Sequence, residues 1–155
     1  MANQIINASV GHFPIVKQIT HETISAIYPH YYPMGVVDFF LAHHSDEHIM
    51  EDIHAGIVYL LMHDDGPVGT VTIKGNEINR LFVLPQHQRK GFGRQLLDFA
   101  EEMIFRNHSE ICLDSSLPAK RTYLKRGYIP LEAHQITTEN GDVLCYDLMK
   151  KAAAP

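Results

Sequence analysis

Apolar positions along the chain follow two periods. Residues 3 to 10 suit a first strand, and Phe13, Val16, Ile19, Thr23 and Ile27 then recur at helical spacing until Pro29 and Pro33 end the pattern. After a short apolar segment, VVDFFLA, Ser45-Asp46-Glu47 opens a second helical run carrying Ile49, Met50 and Ile53, closed by Gly56. The texture then changes. IVYLLMH, a DDGP turn, VGTVTIK, a Gly75-Asn76 turn and EINRLFVL predict a three-stranded antiparallel meander.

Pro85 ends the third of these strands, and Gly93, Leu96, Leu97, Ala100, Met103 and Ile104 mark one face of a long helix running to about Asn107. The remainder predicts strand (ICLD), helix (AKRTYLKR) and a final hairpin (YIPLEAHQI and VLCYDLMK) about an Asn140-Gly141 turn. A meander, a crossover helix and further strands imply a mixed sheet flanked by helices, an α/β layer architecture.

Composition narrows the picture. With 155 residues, 45% of them hydrophobic, one compact domain over 1–150 with a short tail at 151–155 is expected. A net charge of −5 disfavours a nucleic-acid binder, and no run of about 18 apolar residues offers a membrane span. Cys112 and Cys145, both in strand-like runs, are expected to be reduced and buried, which suits a soluble cytoplasmic protein.

Candidate chemistry begins between the meander and the long helix, in LPQHQRKGFGRQLL. Glycines at a helix start let a ligand approach the unpaired first amides, where the macrodipole favours an anion; Arg89, Lys90 and Arg94 add charge. A Walker A loop is not spelled here, and the dinucleotide fingerprint fails because Leu96 stands where a third glycine is required. What remains is Q-x-x-G-x-G, Gln88-Arg89-Lys90-Gly91-Phe92-Gly93.

This loop resembles the acetyl-CoA pyrophosphate loop of the GNAT N-acetyltransferase superfamily, and LDSSLPAKRTYLKRGY resembles the family's second signature, at Ser116, Ala119, Tyr123, Gly127 and Tyr128. Many members carry Asn where Ser116 stands. The order of elements from 5 to 150 is also similar: one strand, two helices, a meander, the loop helix, then strand, helix and hairpin. The resemblance implies a mostly antiparallel mixed sheet of about seven strands with about four helices. It also implies direct attack of a small-molecule or peptide amine on acetyl-CoA in a ternary complex, without a metal, and leaves a homodimer open.

Site residues follow from the same resemblance. Tyr123 takes the general-acid position. Backbone amides of Leu81, Phe82 and Val83 face the thioester and pantetheine, Gln88, Arg89, Lys90, Gly91, Phe92, Gly93 and Arg94 hold the pyrophosphate, and Ser116, Ala119 and Tyr123 itself contact the cofactor's arm. Glu77, fourteen residues before Gly91, stands where several protein-acetylating members carry a catalytic glutamate; strand alternation would put it on one face with Asn79 and Leu81. The alternative is a proton path along ordered water.

Four of the eleven histidines, His43, His44, His48 and His54, cluster near the second helical run. His44-x-x-Glu47-His48 matches a zinc-hydrolase pattern with Glu47 as base. Ser45 as a helix cap would leave His44 outside the helix and break the one-turn pairing of ligands. In the family the first helices wall the acceptor pocket, which points instead to Tyr28, Tyr31, Tyr32, His43 and His44 as acceptor contacts. A non-catalytic acyl-CoA-binding or sensing domain of the same fold is the other alternative.

Overall fold

A computed structural model describes residues 3–64 and 66–155. Among the described residues the chain forms seven strands and five α-helices: β1 (Gln4–Asn7), α1 (Phe13–Ile27), α2 (Met34–His43), α3 (Asp46–His54), β2 (Val58–His63), β3 (Gly66–Lys74), β4 (Glu77–Val83), α4 (Phe92–Phe105), β5 (Glu110–Ser115), α5 (Leu117–Lys125), β6 (Ile129–Thr137) and β7 (Val143–Ala152). The strands make one sheet in the order β1-β2-β3-β4-β5-β7-β6. Every neighbouring pair is antiparallel except β4 and β5. The expected mixed sheet is therefore present.

Local sequence accounts for most element ends. Ser45 caps α3 by accepting from the His48 amide at 3.2 Å, with Asp46 and Glu47 in the first turn. Gly127 at φ +94° follows α5, and Gly141 at φ +88° turns the last hairpin. Three details differ from expectation. The segment VVDFFLA lies inside a helix of its own, α2; β1 stops at Asn7 because Val10–His12 turn into a 3-10 coil; and β7 continues through Lys151 and Ala152. The expected Asp64 to Pro67 turn includes residue 65, outside the described residues.

Helices cover both faces of the sheet. Val16, Ile19 and Ile24 of α1, Val36 and Val37 of α2, and Ile49 and Ile53 of α3 pack on one face against Val58, Leu60 and Phe82. On the other, Leu96, Leu97, Ala100 and Ile104 of α4 meet Leu61, Val71, Ile111, Leu113 and Met149. Leu60 and Leu61 going to opposite cores is the two-residue period of a strand covered on both sides. At about 1.5–3 kcal/mol for each fully buried aliphatic side chain, these two layers hold the sheet between them. Cys145 does not join either: Leu144 and Tyr146 turn toward the α1 layer, and Cys145, on the opposite face of β7, is exposed, while Cys112 is half-buried. Both cysteines are free thiols.

The functional geometry starts with a fault in β4. Asn79 pairs with Thr72 and Phe82 with Thr70, so three steps on β4 match two on β3, and Arg80 sits at φ +45°. This is a β-bulge, which leaves an unpaired residue and reverses alternation beyond it. Ile78 belongs to the α4 core but Phe82 to the α1 core, and Leu81 packs on the α4 side. The expectation that Glu77, Asn79 and Leu81 share a face is thus corrected. Beyond the bulge β4 also leaves β5: the two share one matched pair, Glu77 with Cys112, plus the bond from the Cys112 amide to the Asn76 carbonyl. No helix among the described residues is long and apolar enough to cross a membrane.

Candidate active site

The parting of β4 and β5 opens a cavity of about 700 Å³ between the sheet and the tips of α1, α2 and α5. Its floor includes Leu81, Phe82 and Val83, the strand segment that no longer pairs with β5. Such a segment keeps backbone donors and acceptors free for a bound molecule. Phe82 itself is buried, so its contribution to the cavity is chiefly backbone.

At one end of β4 the glycine loop leads into α4. The Gln88 side-chain amide donates to the Val83 carbonyl at 2.9 Å, tying the loop to the strand end; Gln88 and Arg89 line the cavity. Gly91 is the N-cap of α4 at φ +87°, a left-handed conformation, and the following amides of Phe92, Gly93 and Arg94 are those a helix cannot satisfy internally. A Cβ on Gly91 would meet nothing within 4 Å, and one on Gly93 only Val83 Cγ2 at 4.0 Å. Internal packing does not require the second glycine; it keeps the space before the amides open. That donor set, with Arg89, Lys90 and Arg94 exposed around it, fits a pyrophosphate. Phe92 is buried against His63 at 4.8 Å between ring centroids, so only its amide can serve.

Across the gap, α5 brings Ala119 and Tyr123 to the wall and its N-cap Ser116 to the rim. Tyr123 is 6% exposed, and burial, then the neighbouring Tyr28 phenol, push its pKa well above the ordinary tyrosine value. Burial pushes Tyr28 up to about 12, against hydrogen bonding to Ser116 and with help from Tyr32. Both phenols therefore hold their protons at neutral pH, the state a proton donor needs. Ser116 makes no side-chain cap bond; the first amide of α5, on Leu117, donates to Tyr32 Oη at 2.7 Å instead. Tyr32 is thereby an anchor between α2 and α5, buried and outside the cavity lining.

The remaining wall comes from the α1 and α2 region. Of the residues expected to contact an acceptor, Tyr28, Tyr31, His43 and His44 line the cavity. His44 is the buried member: its Nδ1 accepts from Arg80 Nε at 3.2 Å and its carbonyl accepts from His21 Nε2 at 2.6 Å. Burial, then Arg80 and the surrounding histidines, lower its pKa to about 2, so it is neutral. Arg80 is committed as well, to Asp52 at 2.9 Å and Thr72 at 3.1 Å. The H-x-x-E-H residues do not form a one-turn pair, because His44 precedes the Ser45 cap and His48 Nδ1 contacts the His43 carbonyl at 2.7 Å.

Two acidic groups occupy the paired end of the gap. Glu77 does not line the cavity; burial, then Asp114, raise its pKa against the pull of Lys74. Asp114 does line it, two residues before Ser116 on β5, and its pKa is raised by desolvation while His134 and His43 draw it down. Sequence reasoning missed Asp114, although a carboxylate interrupting the apolar run ICL so close to Ser116 was a visible signal. Arg80 was missed too, and only its tertiary partners reveal it.

Comparison with known proteins places this geometry. The family model for an acetyltransferase (GNAT) domain matches residues 27–143. A GCN5-related N-acetyltransferase structure from Rhodopseudomonas palustris superposes with a TM-score of 0.89 at 19% identity, covering 99% of this chain and 97% of that one. PaiA N-acetyltransferase from Thermoplasma acidophilum, in complex with coenzyme A, gives 0.76 at 18% identity over 99% and 100%. The ribosomal-protein-S18-alanine N-acetyltransferase from Escherichia coli gives 0.71 at 16% identity over 99% and 97%. No curated protein sequence matches the chain.

Proposed function

Since the chain belongs to the GNAT family and is an acetyl-CoA-dependent N-acetyltransferase, we propose how its residues divide the work of transferring acetyl to a small-molecule or peptide amine. The observation that carries this proposal is that the β4–β5 gap opens a cleft lined both by the buried Tyr123 and by Gln88 and Arg89, the loop residues that lead into the glycine-led start of α4. The amides at Gly91 to Arg94 hold the pyrophosphate, with Arg89 and Lys90 screening its charge. The pantetheine arm runs along Leu81 to Val83, past Ser116 and Ala119, and the thioester oxygen accepts from a β4 amide released by the bulge.

In the ternary complex the uncharged amine attacks the thioester carbon, the C–N bond forms and the C–S bond breaks. Tyr123 gives its proton to the departing thiolate. The amine's proton leaves through water toward Glu77, whose pKa burial and then Asp114 push above its ordinary value, the direction that makes it a stronger base. Holding donor and acceptor in one cleft supplies the proximity that such a direct transfer needs.

The test is thiol release from acetyl-CoA across an amine panel. Tyr123→Phe is expected to lower kcat by about a hundredfold with acetyl-CoA binding unchanged, the lower range for a general acid. Glu77→Gln is expected to abolish the rise of rate with pH. An unchanged kcat in the first variant removes Tyr123 from the mechanism, and an unchanged pH profile in the second leaves the proton to water alone. Binding of acetyl-CoA without turnover of any amine would mean a sensing domain.

A further inference from the structure

Asp114 stands in an arrangement that the transfer chemistry does not account for. It enters the cavity from β5, between two aromatic stacks: His43 on Phe39, with centroids 6.0 Å apart and planes at 12°, and His134 on Tyr146, 5.2 Å apart and at 16°. His43 and His134 are the two imidazoles that act on its charge from α2 and β6. From β4 its carboxylate faces Glu77, and on β5 its neighbour is Cys112. Among the described residues no lysine or arginine pairs with Asp114; Arg80, which also lines the cavity, is tied to Asp52. A carboxylate beside aromatic faces, with imidazoles but no lysine or arginine to offset its charge, can receive an organic cation.

Its distance from the reacting end is also informative. Asp114 and Ser116 are separated by two residues of extended strand, about 7 Å, and Ser116 faces the Tyr28 phenol beside Tyr123. An acceptor nitrogen at the tyrosine end would leave Asp114 too remote to contact it. A second ammonium linked by roughly three to five methylenes, at standard bond lengths, would span the interval. The ring faces of Phe39 and Tyr146, both in the cavity lining, would cover those methylenes.

We infer that Asp114 holds the second, non-reacting ammonium of an aliphatic diamine or polyamine acceptor. The inference rests on the transfer site proposed above and makes Asp114 a specificity-determining residue. Removing one charged hydrogen bond of about 1.5–3 kcal/mol corresponds to about a ten- to hundredfold loss.

Wild-type protein and Asp114→Asn are assayed with 1,3- to 1,5-diamines and with monoamines of equal chain length, and acetyl-CoA binding is followed by calorimetry. Wild type is expected to prefer the diamines, through KM, by about ten- to a hundredfold, and Asp114→Asn to erase that preference with monoamine turnover and acetyl-CoA affinity unchanged. Equal use of monoamines and diamines by the wild type overturns the inference, as does turnover of neither alongside intact acetyl-CoA binding. An equal fall in kcat for both substrate types in Asp114→Asn would make it a proton acceptor instead. Failure of the wild type to bind acetyl-CoA would sink the transfer site itself, a separately visible result.

Discussion

Gly91 carries two demands at one position. Its φ of +87° sets the turn from the loop into α4, and its missing side chain leaves the approach to the helix amides clear. A β-branched residue there meets backbone strain of about 1–2 kcal/mol and also fills the anion's path. Gly91→Val is therefore expected to lose about tenfold or more in acetyl-CoA affinity by calorimetry, well beyond its modest effect on unfolding. Retained affinity would show that the phosphates lie elsewhere. The glycine-led helix start at this position was legible because the constraint is local, and the family resemblance then gave it a pyrophosphate. Asp114 was not, since its meaning comes from His43, His134 and Tyr146, which three other elements deliver.

At the scale of elements, α2 shows why part of the fold escaped sequence reasoning. Its apolar residues do not lie on one stripe: Val36 and Val37 enter the core while Phe39 and Phe40 line the cavity, so the helical period is blurred. The bulge at Arg80 was hidden for a similar reason: Asn79-Arg80 interrupts the alternation of EINRLFVL, but the unbroken apolar run that follows does not show which face each residue takes until the pairing with β3 is known. The α2 start is held by a distant turn. The Gly35 amide donates to Asp142 Oδ2 at 2.9 Å, so the β6–β7 hairpin supplies the negative charge favoured at a helix N-terminus. A Cβ on Gly35 would collide with Asn140 Oδ1 and come within 2.5 Å of Asp142 Oδ2. Gly35→Ala must then displace the Asn140 and Asp142 side chains and with them the Asp142 carboxylate that holds the α2 amide. The expected cost is about 1–3 kcal/mol, or several degrees in Tm, with faster amide exchange in the turn. Gly→Ala inside a helix otherwise stabilises, so even an unchanged Tm would contradict the latch.

Across the whole molecule, buried titratable groups tie the layers together and give stability a pH dependence whose sign can be worked out. Glu101 of α4 receives Arg126 at 3.0 Å, Lys151 at 2.8 Å and Tyr128 at 2.9 Å, joining α4 to β7 and the end of α5. Burial alone would raise its pKa, but these donors bring it below the usual glutamate value. Its contribution is thus present above the ordinary glutamate range and is lost only as the pH falls toward the lowered value. His44, on the opposite layer, acts at higher pH. Its folded pKa near 2 lies below the unfolded value near 6.5, so the unfolded chain binds the extra proton and stability declines as pH falls below about 6.5. The slope contributed by this one residue approaches about 1.4 kcal/mol per pH unit. His44→Asn keeps an acceptor for Arg80 Nε but cannot titrate. Urea unfolding at pH 7.5, 6.5 and 5.5 should therefore show wild type losing stability between the last two points and the variant losing less by about 1 kcal/mol, the ten other histidines acting equally in both. Parallel curves would mean that His44 accepts its proton in the folded state, and that Arg80 gives up either His44 or Asp52 when it does.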